Sequence, residues 1–331
     1  MEWSPNRRLQ LQMVVSLLGL VLLVLAAAIA SGTAVVLSVA FFSLFTPMPL
    51  EFGTSVTNGL VGIATVAVLA AVVWGERDAP SYVIDATGAR RASTDEYPAL
   101  LAAVRSVSHQ ADAPIPDVYV AQIDQPISLT TGFTPQDAHL LVSEGLVHLL
   151  DDTELEAVVA HEVAHIKNRD AAVMTGVALP LAAAGRIGSL LAGPTAGVEH
   201  GFASRADYAD ALLTVGLVVG FPIGLCTLLL SASFSRTREF AADRGAAAIT
   251  GEPAALATGL RTIENAVNER PATTVPRAEI GAFTIVSPDV EANGTFGSLQ
   301  RWFQPIVRMH PNLETRITRL RELMDAQERD N

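Results

Sequence analysis

The stretch His161-Glu162-Val163-Ala164-His165 decides how this chain is read. If residues Thr153 to Asp170 form a helix, the two histidines stand at i and i+4, one turn apart on a single face, where two imidazoles can grip one metal ion. Glu162 follows the first histidine directly and can reach a water held at that ion without ligating the ion itself, which is the position of a general base. The helix has support of its own. Asp151 and Glu154 have the spacing of an N-cap and its capping-box partner, Leu155, Val158, Val159, Val163 and Ile166 offer apolar surface for burial, and neither proline nor glycine interrupts the run.

Catalytic zinc usually takes three protein ligands and keeps a fourth position open, so a third ligand has to lie elsewhere. The run Arg236-Thr237-Arg238-Glu239-Phe240-Ala241-Ala242-Asp243 offers it, because Glu239 and Asp243 are again i and i+4 on a predicted helix. Glu239 is the candidate ligand. Asp243 is the candidate acceptor for the spare ring N–H of a ligand histidine, a bond that would fix its tautomer. Taken alone, such a carboxylate pair is more often a solvated helix face. Its partner motif and the apolar segments between the two raise it above that.

Those segments show first in the composition. The 331 residues are 50% hydrophobic, and the mean hydropathy of +0.36 is too apolar for an ordinary pair of soluble domains. A formal net charge of -12 leaves no basic stripe to neutralise phosphates, which argues against nucleic acid as a partner. The single cysteine, Cys226, excludes an intramolecular disulfide and a cysteine-based zinc finger, and within its apolar run it reads as a small buried hydrophobe.

Val14 to Phe45 and Phe52 to Trp74 carry no charge and are long enough to span a bilayer as a helical hairpin. Arg7 and Arg8 precede the hairpin, Arg77, Arg90 and Arg91 follow it, and the short loop between its arms has no Lys or Arg, so both ends are expected in the cytoplasm. Two further apolar runs, Ala171 to Ala192 with Pro180 and Arg186 inside it and Ala211 to Ser235 with Pro222, form a second expected hairpin around an external loop. Such a hairpin returns the chain to the face it left. His165 lies about 9 Å of helix before one arm and Glu239 about 6 Å after the other, so the crossing would bring them together at the cytoplasmic surface.

The expected layout is an N-terminal transmembrane hairpin at 1–75, a cytoplasmic part at 76–170 with a small sheet and the His161 helix, the second hairpin at 171–235, and a cytoplasmic helical part at 236–331. The fold class is α+β and predominantly helical. Ser81 to Asp85 reads as a short strand, Asp95 to Gln110 as an amphipathic helix, and Asp117 to Ile123, Ile127 to Thr131 and Ala138 to Val142 as a small antiparallel sheet. An exposed edge of that sheet suits pairing with an extended peptide. Ser143 to Leu150 and Glu252 to Asn268 read as helices, Pro271 to Leu299 as a long loop, and Asn312 to Gln327 as a final helix. His109, His139, His148 and His200 have no partner at ligand spacing and read as structural or surface residues.

With H-E-V-A-H-I-K-N-R-D from His161 to Asp170, S-R-T-R-E-F-A-A-D from Ser235 to Asp243, and paired apolar segments before and between them, the chain resembles the HtpX family of membrane zinc metallopeptidases, relatives of the prenyl-protein CAAX endopeptidases. The resemblance covers nearly the whole length. It implies a gluzincin-like cytoplasmic domain in a multi-pass protein of the cell membrane, with one zinc ion per chain held by His161, His165 and Glu239 and with Glu162 as the base. It further implies an endopeptidase acting on membrane or misfolded proteins.

The family's late His-Pro followed by arginine is matched by His310, Pro311 and Arg316. The resemblance assigns His310 to the oxyanion as a catalytic residue and Arg316 to substrate binding. The strand ahead of the metal helix departs from the pattern, since Ile127-Ser128-Leu129-Thr130-Thr131-Gly132 lacks the asparagine usual in relatives; substrate positioning along that strand is what the departure touches. Two other readings stay open, a CAAX-type processing protease and a membrane metal-binding scaffold without turnover. The second has no use for a carboxylate at Glu162.

Overall fold

The computed structural model describes residues 84–85, 87–132, 134–168, 221–269 and 311–330, with isolated positions between 11 and 74. The described elements are β1 (Arg90–Arg91), α1 (Pro98–Ala111), β2 (Asp117–Ala121), β3 (Ser128–Thr131), β4 (His139–Ser143), α2 (Glu144–Leu149), α3 (Asp152–Lys167), α4 (Phe221–Thr250), α5 (Pro253–Glu269) and α6 (Leu313–Asp330). The fold is mostly helical with one small sheet.

Helix α3 is the centre of this arrangement. Its first turn is held by the expected capping box, in which the Glu154 N–H donates to the Asp151 carboxylate at 2.8 Å and the Asp151 N–H to that of Glu154 at 3.3 Å. From Glu154 to Ile166 every side chain but Glu156 is buried, so α3 lacks the polar face of a surface helix and is packed on all sides. Helix α1 covers one side with Leu100, Val104, Val107 and Ala111, spaced to share one face and almost fully buried. Helix α5 covers another with Leu256, Leu260, Ile263 and Val267, and α6 packs on α5 through Leu313, Ile317 and Leu320. Each of these leucines, valines and isoleucines contributes about 1.5–3 kcal/mol by leaving water. Gly259 of α5 faces α3, where a Cβ would make ordinary contact, 3.4 Å from the Glu154 Cβ and 3.6 Å from Val158.

The sheet runs β1-β2-β4-β3 and corrects the expected antiparallel arrangement: β4 pairs antiparallel with β3 but parallel with β2, so the sheet is mixed. Strand β4 takes the middle because Leu140-Leu141-Val142 is apolar on both faces. Leu140 and Val142 join the core around α3, while Leu141 packs with Ala121, Ile127 and Leu129 on the opposite face. Strand β3 is left at one edge. At the other edge β1 pairs antiparallel with β2, anchored by Arg91 on Asp117. The strand expected at Ser81 to Asp85 is also corrected where it can be seen, since Ile84 and Asp85 are helical, and the turn is closed by the Thr87 hydroxyl donating to the Ile84 carbonyl at 3.0 Å.

The chain divides into two compact units, one of Met1–Val14, Asp78–Thr175 and Ala232–Asn331, the other of Val15–Arg77 and Gly176–Ser231. Val15, Leu18, Leu22, Leu25 and Ile29 of the first apolar run are helical and exposed, as are Val56, Ile63, Val66 and Trp74 in the second run. Among the described residues no helix is long and apolar enough to cross a membrane. The apolar run Ala171 to Ala192, the first part of Ala211 to Ser235, the external loop between them, the loop Pro271 to Leu299 and His310 lie outside the described residues.

Candidate metal centre

Two helices supply the site. Helix α3 carries His161, Glu162 and His165, and α4 carries Glu239 and Asp243; all five side chains are buried. One turn of α3 sets the two imidazoles edge to face with ring centroids 4.7 Å apart and brings their Nε2 atoms to 3.1 Å. The Glu239 carboxylate closes the triangle, with Oε2 3.5 Å from His161 Nε2 and Oε1 3.5 Å from His165 Nε2. The three donor groups lie within 4.8 Å of one another.

These separations fit a zinc ion. Two donors bound to zinc at about 2.0–2.1 Å in tetrahedral geometry stand about 3.3 Å apart; here the two Nε2 atoms are 3.1 Å apart, and each lies 3.5 Å from one oxygen of Glu239, His161 from Oε2 and His165 from Oε1. Two neutral imidazoles and a carboxylate are also an established zinc ligand set that leaves a fourth position open.

Behind the triangle the histidine is oriented from the far side. His161 Nδ1 is 3.0 Å from Asp243 Oδ1, and the Arg316 guanidinium of α6 grips both oxygens of Asp243, Nε to Oδ2 at 2.9 Å and Nη2 to Oδ1 at 2.6 Å. Burial alone would raise the Asp243 pKa, but the Arg316 charge and the His161 bond outweigh it and hold the carboxylate below its usual range. An ionised Asp243 accepts a hydrogen bond from Nδ1–H, so the lone pair of the neutral His161 ring sits on Nε2, toward Glu239 and His165. Burial also works against charging the His161 ring, yet the bonds to Asp243 and then Glu239 prevail and raise its pKa to about 9. A metal ion held at Nε2 would therefore have to compete with a proton for it. Arg316 is pushed upward as well, since the Asp243 charge overcomes the cost of burying the guanidinium.

Arg316, expected as a substrate contact, is thus 2% exposed with its guanidinium turned to Asp243 and with Nη1 3.6 Å from Glu239 Oε2. Arg238 approaches the other side of Glu239, Nη2 to Oε1 at 3.2 Å. One contact escaped the sequence reading altogether. The Thr130 hydroxyl, on edge strand β3, donates to Glu162 Oε2 at 2.7 Å. Its only trace in the sequence is the polar residue in Leu129-Thr130-Thr131, and nothing in that run names Glu162 as its partner.

Residues 95–324 match Peptidase family M48. A protein described as "Protease HtpX homolog" in Acidiphilium cryptum is 35% identical over 237 residues, which cover 71% of this chain and 77% of that protein. Its namesake in Pyrococcus abyssi is 36% identical over 244 residues, 73% of this chain and 79% of the relative. One in Aquifex aeolicus is 31% identical over 278 residues, 80% and 87% of the two chains. The crystal structure of S. mikatae Ste24p aligns with a TM-score of 0.49 at 16% identity, covering 77% of this chain and 57% of that chain.

Proposed function

Given that this chain belongs to peptidase family M48 and is a zinc metalloprotease, we propose that it is a membrane-bound endopeptidase in which His161, His165 and Glu239 hold the ion and Glu162 is the general base. The observation that carries this reading is the triangle of donors within 4.8 Å, drawn from two helices far apart in sequence, with the Glu162 carboxylate one residue from its first corner. Protein or peptide chains are its substrates.

When bound, zinc lowers the pKa of a water and polarises the scissile carbonyl. Glu162 takes a proton from the attacking water and returns it to the leaving amide nitrogen, so one carboxylate serves first as base and then as acid. Asp243 keeps the His161 proton on Nδ1, and Arg316 keeps Asp243 ionised in a buried setting. His310 is proposed to stabilise the oxyanion. Among the described residues strand β3 is the sheet edge nearest this site, held against α3, and an extended peptide can pair with its side away from β4.

The membrane setting rests on the four apolar runs. In the proposed layout, hairpins at 1–75 and 171–235 cross the bilayer, and the parts at 76–170 and 236–331 form the gluzincin-like cytoplasmic domain. The ion would then sit close to the lipid surface, which suits membrane-embedded or misfolded chains as substrates.

The test is Glu162→Gln in the full chain. It should keep one equivalent of zinc and lose cleavage of a membrane-protein substrate by about a hundred- to ten-thousandfold. Full activity in that variant would remove the assigned base. Cleavage of a prenylated C-terminal peptide in preference to the membrane protein would favour a CAAX-type processing role.

A further inference from the structure

We propose that Thr130 is a positioning residue for the general base, a role that rests on the assignment of Glu162 above: its hydroxyl holds Glu162 Oε2, so that Oε1 is the oxygen that exchanges the proton. Thr130 Oγ1 lies 2.7 Å from Glu162 Oε2, a charge-assisted distance, and both side chains are buried, at 8% and 3% exposure. Among the described residues, Thr130 is the only side-chain hydrogen-bond partner of that carboxylate. A glutamate has three rotatable side-chain bonds. A base whose carboxylate wanders spends part of its time out of reach of the proton it must take.

The hydroxyl is well placed to prevent that wandering. Thr130 is paired with Leu140 in the β3–β4 ladder, and Leu140 belongs to the core around α3, so the strand fixes the Cα on the face that meets the helix. Branching at Cβ stiffens χ1 and keeps the hydroxyl aimed. Leu129, the preceding residue, faces the other way into the cluster with Leu141, so Thr130 is not interchangeable with its neighbour. The bond does not use the main chain of β3, and a peptide pairing along the strand edge does not call on the hydroxyl. Loss of the hydroxyl should therefore show in kcat and leave KM where it was.

Thr130→Val keeps the shape and the β-branch and removes the hydroxyl, whereas Thr130→Ser keeps the hydroxyl and removes the methyl. With full-length zinc-loaded protein, Thr130→Val should retain one zinc per chain and an unchanged KM, and lose about tenfold or more in kcat. Calorimetric affinity for a peptide hydroxamate, whose hydroxyl needs the same carboxylate as its acceptor, should fall alongside. Thr130→Ser should recover both to within about threefold. In a Glu162→Ala background, Thr130→Val should change neither the residual rate nor hydroxamate affinity, because the group it positions is gone.

A wild-type kcat in Thr130→Val would overturn the role, and so would a Thr130→Ser variant as poor as the valine. A drop in kcat that follows zinc content or melting temperature would also overturn it, since that marks a structural role. If Thr130→Val does not fold, the serine variant and Thr130→Ala are read by the same two measurements. Should Glu162→Gln itself remain active, the base assignment fails instead, which separates the two claims.

Discussion

His161 Nδ1 and Asp243 Oδ1 stand 3.0 Å apart, joining the metal-binding face of α3 to α4 by one bond. That bond decides which ring nitrogen keeps the proton and hence which one faces the ion, and Arg316 supports it from α6. Asp243→Asn keeps the shape and removes the charge. Zinc affinity, measured by chelator competition, is expected to fall about 10- to 100-fold.

Arg316 is bound to Asp243 on both oxygens with almost no exposure, so removing it strands a buried carboxylate. Arg316→Met should destabilise the protein by about 3–5 kcal/mol, and Arg316→Lys should not restore it, because an ammonium cannot reproduce the two-pronged grip. Denaturant unfolding of the three proteins checks this. A lysine variant of wild-type stability would mean that the charge alone matters.

In the proposed site, protons and zinc meet at the same nitrogen. With the His161 pKa raised to about 9, the ring carries the proton throughout the range below that value, and the ion must displace it. Apparent zinc affinity should therefore drop about tenfold for each unit the pH is lowered below 9, before other ligands add their own dependence. Affinities measured between pH 6 and 8 supply the slope. A flat profile would show that Asp243 and Glu239 do not hold the proton there.

Tyr97, just before α1, donates its hydroxyl to Glu144 Oε1 at 2.6 Å and so ties α1 to the start of α2. That bond, then burial and the carboxylate charge, raise its pKa from 10.0 to about 12. The folded value exceeds the unfolded one, so the contribution to stability is complete below pH 10 and is lost as the pH rises through about 12. Absorbance titration of Tyr97→Phe against wild type should lack the late-ionising tyrosine, and the variant should be less stable by about 0.5–1.5 kcal/mol at neutral pH.

Helix α3 and its contents were legible in the sequence because every signal for them is local. The Asp151–Glu154 cap, the i, i+4 histidines and the adjacent Glu162 lie within one element, and the Glu239–Asp243 spacing within another. What escaped depends on packing between elements. The parallel pairing of β2 with β4 follows from β4 being apolar on both faces, and three short strands divided by turn signals read equally well as a simple meander. Strand β1 is two arginines, which no propensity marks as a strand. Arg316 carried no mark of burial, because its charge is matched only once α6 lies against α4. Thr130 reaches Glu162 across the interface between sheet and helix, a contact that periodicity along either segment does not reveal.

The central claim is that Glu239 shares one zinc ion with His161 and His165. The most direct measurement is zinc affinity of the full chain by chelator competition for wild type and Glu239→Ala, with bound zinc counted in each. Wild type should hold one zinc per chain, and Glu239→Ala should bind it at least about a hundredfold more weakly, having lost one of three ligands. Equal affinity and stoichiometry in the two proteins would contradict the site.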